Sequence, residues 1–278
     1  MIFDVRTRDG AEMPNLGLGT WRMGENEAAR ADEIRALSLG LELGMRLIDT
    51  AEMYGRGGAE EVVAAAVGKA RDEVFLVSKV LPENASYKGT LDACERSLRR
   101  LETDRIDLYL LHWPGRHPLD ETLRAFVELK RKGKVLHYGL SNFDLDEMAG
   151  SEKLPGGAEV ATNQVLYNVQ RRGIERKLLP WCADRGIAIM AYSPFDQGRL
   201  RPNGTLQEVA ARHRATPAQV ALAWVLRHEN VVAIPKAGKP QHVRDNVAAG
   251  EIVLTEEDLA DIDRAYPAPK RDVPLETA

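Results

Sequence analysis

Eight times along this chain, a run of four to six mostly apolar residues gives way to a longer amphipathic stretch. Runs that short and rich in Val, Ile and Leu read as strands, and the stretches between them carry a helical period. Alternation of the two is the pattern of a parallel sheet built from βαβ units. Strands are expected at Leu16–Gly19, Arg46–Asp49, Val74–Ser78, Ile106–Leu111, Val135–Leu140, Glu159–Gln164, Ala188–Tyr192 and Val231–Ile234. Helices are expected at Glu27–Leu43, Ala59–Ala70, Lys88–Leu101, Leu119–Arg131, Leu145–Gly150, Ile174–Arg185 and Leu206–Arg227, the last broken at Thr216-Pro217. One further helix follows Pro240 and another spans Glu256–Ala265. Thr216 and Thr255 have the chemistry of N-caps, and Gly44, Gly133 and Gly186 stand where helix C-terminal glycines belong.

Eight βα units close into a (β/α)₈ TIM barrel, and right-handed crossovers put the helices outside. Ahead of the barrel, Ile2–Arg6 and Ala11–Met13 flank Asp9-Gly10, the signature of a β-hairpin. Extra C-terminal helices follow the eighth strand. An open doubly wound sheet is the competing fold, but Gly17-Leu-Gly19 after the first strand lacks the third glycine of the dinucleotide fingerprint, and no P-loop occurs. The 278 residues suit one barrel domain over 1–278.

The net charge of −4 gives no basic excess for nucleic acid. No apolar run is long enough to span a membrane and the N-terminus does not read as a secretory signal. Cys94 and Cys182 both fall in expected helices, which suits free thiols in a reducing cytoplasm. Nothing in the sequence calls for a second copy, so a monomer is expected.

In a barrel, chemistry sits at the C-terminal ends of the strands. The polar residues just past the apolar runs are Asp49, Lys79, His112, Ser141-Asn142, Gln164, Tyr192 and Lys236. Each by itself reads as a turn, a solvated strand end or a core polar group; together they fall on one rim. A desolvated Lys79 needs an acid, which Asp49 on the adjacent strand supplies. The ammonium is expected to lower the pKa of Tyr54 from its usual value near 10 and to make it a general acid. His112 is placed to donate to a carbonyl oxygen, with Trp21 and Trp113 as an apolar wall.

The segment Gly44–Gly55, reading GMRLIDTAEMYG, resembles the signature block of the aldo-keto reductases. So do LLHWP at 110–114, YGLSNF at 138–143, AYSP at 191–194 and IPK at 234–236, in order over nearly the whole chain. The resemblance implies NADPH-dependent reduction of small aldehydes or ketones, with Asp49, Tyr54, Lys79 and His112 as the catalytic tetrad and Tyr54 as the proton donor. It implies that Ser141, Asn142 and Gln164 bind the nicotinamide carboxamide and that Tyr192 stacks on the ring. Ser193 to Gly198 would lie over the pyrophosphate, Lys236 at the 2′-phosphate and Asn246 at the adenine. No metal is implied.

Two departures from the family pattern bear on specificity. Ala237 and His242 replace a Ser and an Arg common in the family, and a neutral His clamps phosphate less well than a bidentate Arg. NADPH is therefore expected with some use of NADH, and Arg244 is either a substitute contact or a solvated helix face. The loop after His112 and the tail after Pro267 are short, which suits small, accessible carbonyls; Arg116 and His117 are either rim charges or substrate contacts. A nicotinamide-binding regulatory subunit of the channel-auxiliary type would keep the same tetrad. A Schiff-base aldolase on Lys79 would leave Tyr54, Tyr192 and Lys236 without a joint purpose, and the histidines are too scattered for a zinc hydrolase.

Overall fold

The computed structural model describes residues 3–278. Strands β1 (Asp4–Arg6) and β2 (Glu12–Pro14) form the antiparallel hairpin, with Val5 opposite Met13. Ile2, the first residue of the expected hairpin, lies outside the described residues. Side-chain alternation points Val5 and Met13 inward, where both are buried, while Arg6 and Glu12 pair on the solvent side. The turn plugs the barrel floor. Arg8 donates to the carbonyls of Val160 (3.0 Å) and Gly157 (2.8 Å), and its N–H to Gly186 O (2.7 Å). Asp9 meets His137 Nδ1 at 2.7 Å.

Eight parallel strands follow: β3 (Gly17–Gly19), β4 (Leu47–Asp49), β5 (Phe75–Val80), β6 (Ile106–Leu111), β7 (Val135–Ser141), β8 (Thr162–Leu166), β9 (Ala188–Tyr192) and β10 (Val231–Ala233). They pair in chain order, and parallel bridges Leu16–Ala233 and Gly19–Lys236 close the ring. At that seam a Cβ on Gly19 would lie 2.6 Å from Ile234 O, so only glycine lets the first and last strands meet. Leu47, Val77, Leu108, Leu110, Met190 and Val232 fill the barrel interior together with the hairpin's Val5 and Met13. Each such side chain contributes about 1.5–3 kcal/mol of hydrophobic stabilisation.

Helices α1 (Glu27–Glu42), α2 (Gly58–Val67), α3 (Tyr87–Arg100), α4 (Leu119–Arg131), α5 (Leu145–Ser151) and α6 (Leu178–Ala183) each link two successive strands on the outside, and α7 (Gly204–Arg212) and α8 (Pro217–Val225) together link β9 to β10. After β10 come α9 (Pro240–Ala249) and α10 (Glu256–Ala265). Thr216 and Thr255 each form a complete capping box. The structure trims three expectations. β8 begins at Thr162 because Gly157–Glu159 forms a 3₁₀ turn under Arg8, the helix expected to Ala70 tightens into a 3₁₀ segment from Gly68, and the one expected from Ile174 is interrupted at Lys177. Among the described residues no helix is long and apolar enough to cross a membrane.

Candidate active site

Leu47 and Asp49 lie two residues apart on β4, as do Val77 and Lys79 on β5, so both polar side chains point into the barrel above its apolar layer. Lys79 is fully buried and Asp49 nearly so. The ammonium donates to Asp49 Oδ2 at 2.8 Å, to Thr50 O at 2.8 Å and to Tyr54 Oη at 3.4 Å. Burial pulls the Lys79 pKa down, and Asp49 opposes that pull.

Tyr54 sits in a 3₁₀ turn, Tyr54–Gly57, between β4 and α2. The turn is pressed against Gly24: a Cβ on Gly24 would lie 2.2 Å from Gly58 C, and one on Gly55 2.8 Å from Met23 O. Gly24 (φ +69°) and Gly55 (φ +56°) also adopt left-handed backbone, so both space and conformation require glycine. The Gly24 N–H donates at 3.0 Å to the buried Glu33, which anchors the contact.

Burial, reinforced by the negative charge of Asp49, holds the Tyr54 phenol well above its ordinary value. This reverses the expected lowering by Lys79. The ammonium is already neutralised by Asp49 at 2.8 Å, so little net positive field reaches the phenol and desolvation prevails. Tyr54 is consequently a protonated phenol that keeps its donor.

His112 follows β6. Its ring meets the Tyr54 ring edge-on at 5.6 Å and lies 4.7 Å from Trp113. Burial first, then Lys79, push its pKa down to about 2, so the imidazole is neutral. Its Nδ1 is buried with no hydrogen-bond partner among the described residues.

A second cluster faces the first. Tyr192 Oη donates to Asn142 Oδ1 at 2.8 Å, while Asn142 Nδ2 donates to His112 O at 3.1 Å. Ser141 Oγ donates to Gln164 O at 2.9 Å, and Gln164 Nε2 reaches Asp49 Oδ1 at 2.8 Å. Above these, the loop after β9 holds Ser193, Asp196 and Gln197 at φ of +51°, +47° and +57°. Three non-glycine residues in left-handed conformation within five positions mark a segment held by its surroundings.

Most of these groups line one cavity of about 810 Å³ at the C-terminal mouth of the barrel; Lys79 and Asp196 stand behind its wall. Trp21, Trp113, Ser193, Gly198, Lys236 and His242 also line it. Among the expected site residues, Lys79 and Asn246 do not line this cavity; Asn246 is buried on α9 with its side-chain nitrogen unpartnered among the described residues. Arg116, His117 and Arg244 also lie outside the lining. The sequence reading missed Arg22 and Met53, and it missed Thr277 and Ala278 of the C-terminal tail, which also line the cavity. Phe195 and Gln197 line it within the Ser193–Gly198 segment that the sequence had marked as a whole. Nothing local marks the tail, which is set by ion pairs to residues about a hundred positions away.

The aldo/keto reductase family model matches residues 15–267. The chain belongs to the aldo/keto reductase family. It is 50% identical over 269 residues to the methylglyoxal reductase YeaE of Escherichia coli (strain K12), covering 95% of each chain. It is 37% identical to the glyoxal reductase of Bacillus subtilis (strain 168), covering 93% of this chain and 91% of the relative. An aldo/keto reductase from Klebsiella pneumoniae, solved in complex with NADP and acetate, superposes with a TM-score of 0.97 at 47% identity over 100% of both chains.

The mouth of this aldo/keto reductase fits a nicotinamide dinucleotide. Tyr192 offers a ring beside amide-bearing Asn142 and Gln164, and among the described residues Lys236 is an exposed cation with no ion-pair partner and Asn246 holds a buried side-chain nitrogen with no hydrogen-bond partner.

Proposed function

We propose that this aldo/keto reductase reduces small aldehydes and ketones, 2-oxoaldehydes such as methylglyoxal among them, with NADPH as reductant and Tyr54 as proton donor. The observation that carries the reading is the Lys79 ammonium, held at 2.8 Å from Asp49 and 3.4 Å from Tyr54 Oη beside a neutral His112. The relatives named as methylglyoxal and glyoxal reductases support the substrate class, and the NADP-bound neighbour supports the cofactor.

A reduced nicotinamide held in the mouth would supply the hydride. Tyr54 donates its phenolic proton to the carbonyl oxygen as negative charge develops there. Lys79 steadies the phenolate left behind, and Asp49 keeps Lys79 charged within the dry barrel. His112, neutral, donates a second hydrogen bond that orients the carbonyl. Trp21 and Trp113 exclude water from the reacting centre, which strengthens each of these contacts. The Gln164 nitrogen donates to both Asp49 Oδ1 and Met190 Sδ, so its amide oxygen is the group that would be left to accept from a carboxamide N–H. Ser141, Asn142 and Tyr192 would cradle the nicotinamide half, and Ser193–Gly198 would lie over the pyrophosphate. Lys236, His242 and Asn246 receive the adenosine half, with His242 permitting some use of NADH.

The buried free thiols Cys94 and Cys182 suit work in a reducing bacterial cytoplasm, where the chain acts as a monomer of one catalytic domain. The regulatory-subunit reading is not favoured, since the relatives are named as reductases in their own right. The deciding experiment follows loss of reduced-nicotinamide absorbance with methylglyoxal, glyoxal and aromatic aldehydes. Turnover that Tyr54→Phe abolishes while NADPH still binds would support the assignment. Binding of NADPH without turnover of any carbonyl would return the regulatory reading.

A further inference from the structure

The loop after β8 does not line the cavity, yet it holds two of its walls. On one side it carries the segment after β9. Asn168 Nδ2 donates to Ser193 O at 2.9 Å, Arg171 Nε to Asp196 Oδ1 at 3.5 Å, and Gln170 Oε1 accepts the Arg201 N–H at 3.0 Å. On the other side it carries the C-terminal tail. Arg171 Nη1 donates to Glu276 Oε1 at 2.7 Å, Arg176 and Lys177 pair with Asp272, and Val273 packs directly on Gly173. Gln197 and Gly198 line the cavity from the first wall, Thr277 and Ala278 from the second. Arg171 bridges the two walls with a single guanidinium.

We propose that Arg171 is a positioning residue that couples seating of the 193–201 segment on a bound nicotinamide dinucleotide to placement of the 272–278 tail against the carbonyl side of the cavity. The inference rests on reading the mouth as a nucleotide site. The segment keeps Ser193, Asp196 and Gln197 in disfavoured backbone, so its seating depends on contacts such as the one Arg171 makes with the nearly buried Asp196. A ligand that reinforces that seating holds Arg171 in place, and Arg171 in turn holds Glu276. By linkage, whatever fixes the tail then raises affinity for the dinucleotide by the same factor. Arg171 is about 40% exposed, so the coupling weakens as salt screens its two carboxylates.

The test uses the full chain, NADP⁺ and trypsin. Lys270 and Arg271 are exposed just ahead of Asp272, and cleavage there releases the tail, read by mass. NADP⁺ is expected to slow release about fivefold in the native protein, a coupling of ordinary size. Arg171→Met is expected to release the tail faster, to lose the NADP⁺ effect, and to bind NADPH about fivefold more weakly by fluorescence titration. Glu276→Gln, which cuts only the tail's half of the bridge, is expected to lose the NADP⁺ effect as well, and Arg171→Lys to fall between native and Met. Undiminished NADP⁺ protection in both Arg171→Met and Glu276→Gln would overturn the coupling and leave the nucleotide site standing. Failure of the native protein to bind NADP⁺ would overturn both.

Discussion

Gln164 grips the same carboxylate that Lys79 does: its amide nitrogen lies 2.8 Å from Asp49 Oδ1 while the ammonium lies 2.8 Å from Oδ2. A residue expected to serve only the cofactor thus also fixes the orientation of the acid that keeps Lys79 charged. Removing one member of this buried pair strands the other. Asp49→Asn and Lys79→Met are each expected to cost about 3–5 kcal/mol in urea unfolding. The double variant should recover part of that loss, because neither charge remains, while staying inactive. A double variant no more stable than the worse single one would show that the pair adds little beyond packing.

Tyr54→Phe removes one hydroxyl, which accepts from the Lys79 ammonium at 3.4 Å. The expected result is a fall in kcat of at least about 10²-fold, with NADPH affinity and melting temperature little changed. An equal fall in NADPH affinity would mean that the phenol serves binding instead.

In the free protein the Tyr54 phenol is held up and the His112 imidazole down to about 2. Both keep one protonation state across neutral pH. Neither group is therefore expected to contribute a titration to kcat/KM for reduction between about pH 6 and 9, since that parameter reports groups of the free enzyme. An ionisation of either group inside that window would contradict the desolvation argument.

Stability, in contrast, should fall with acid. His228 is pushed down to about 4, chiefly by burial, with Arg227 adding to it. Its unfolded value lies near 6.5, so between those values the unfolded chain binds the extra proton and stability rises with pH. Full stability is present above about 6.5 and is lost as pH falls towards 4. Discounted for partial exposure, the loss from pH 7 to pH 5 is about 1–2 kcal/mol for this residue. Urea melts at the two pH values should show the drop, and His228→Phe should flatten it.

Lys236 lines the cavity as a cation without an ion-pair partner among the described residues. Lys236→Met should raise KM for NADPH about tenfold and leave that for NADH nearly unchanged, while His242→Arg should sharpen the preference for NADPH. Equal effects on the two cofactors would place Lys236 away from the 2′-phosphate.

Gly24→Ala places a methyl 2.2 Å from Gly58 C in a left-handed position at φ +69°. The backbone that seats Tyr54 must then shift. The variant should lose activity beyond any loss of stability, which thermal unfolding and kcat measured side by side would separate; a fully active variant would show that the turn tolerates displacement.

Much of this architecture is legible locally. Burial on both faces makes the strands apolar runs, helix ends need caps such as Thr216 and Thr255, and period-two geometry puts Asp49 above Leu47 and Lys79 above Val77. The rim residues follow because every parallel strand ends at the same mouth. Other properties depend on residues distant in sequence. The direction of the Tyr54 shift is set by how deeply the phenol is buried and by Asp49 cancelling Lys79, quantities with no local trace. The second duty of Gln164 depends on a contact 115 residues away, and the place of the tail on ion pairs to Arg171 and Arg176. The sequence by itself therefore determined the fold and the identity of the groups at the mouth, because backbone periodicity is a local property. Only the tertiary structure decided their charge states and mutual bonds, because desolvation and Coulomb interaction depend on distances in space.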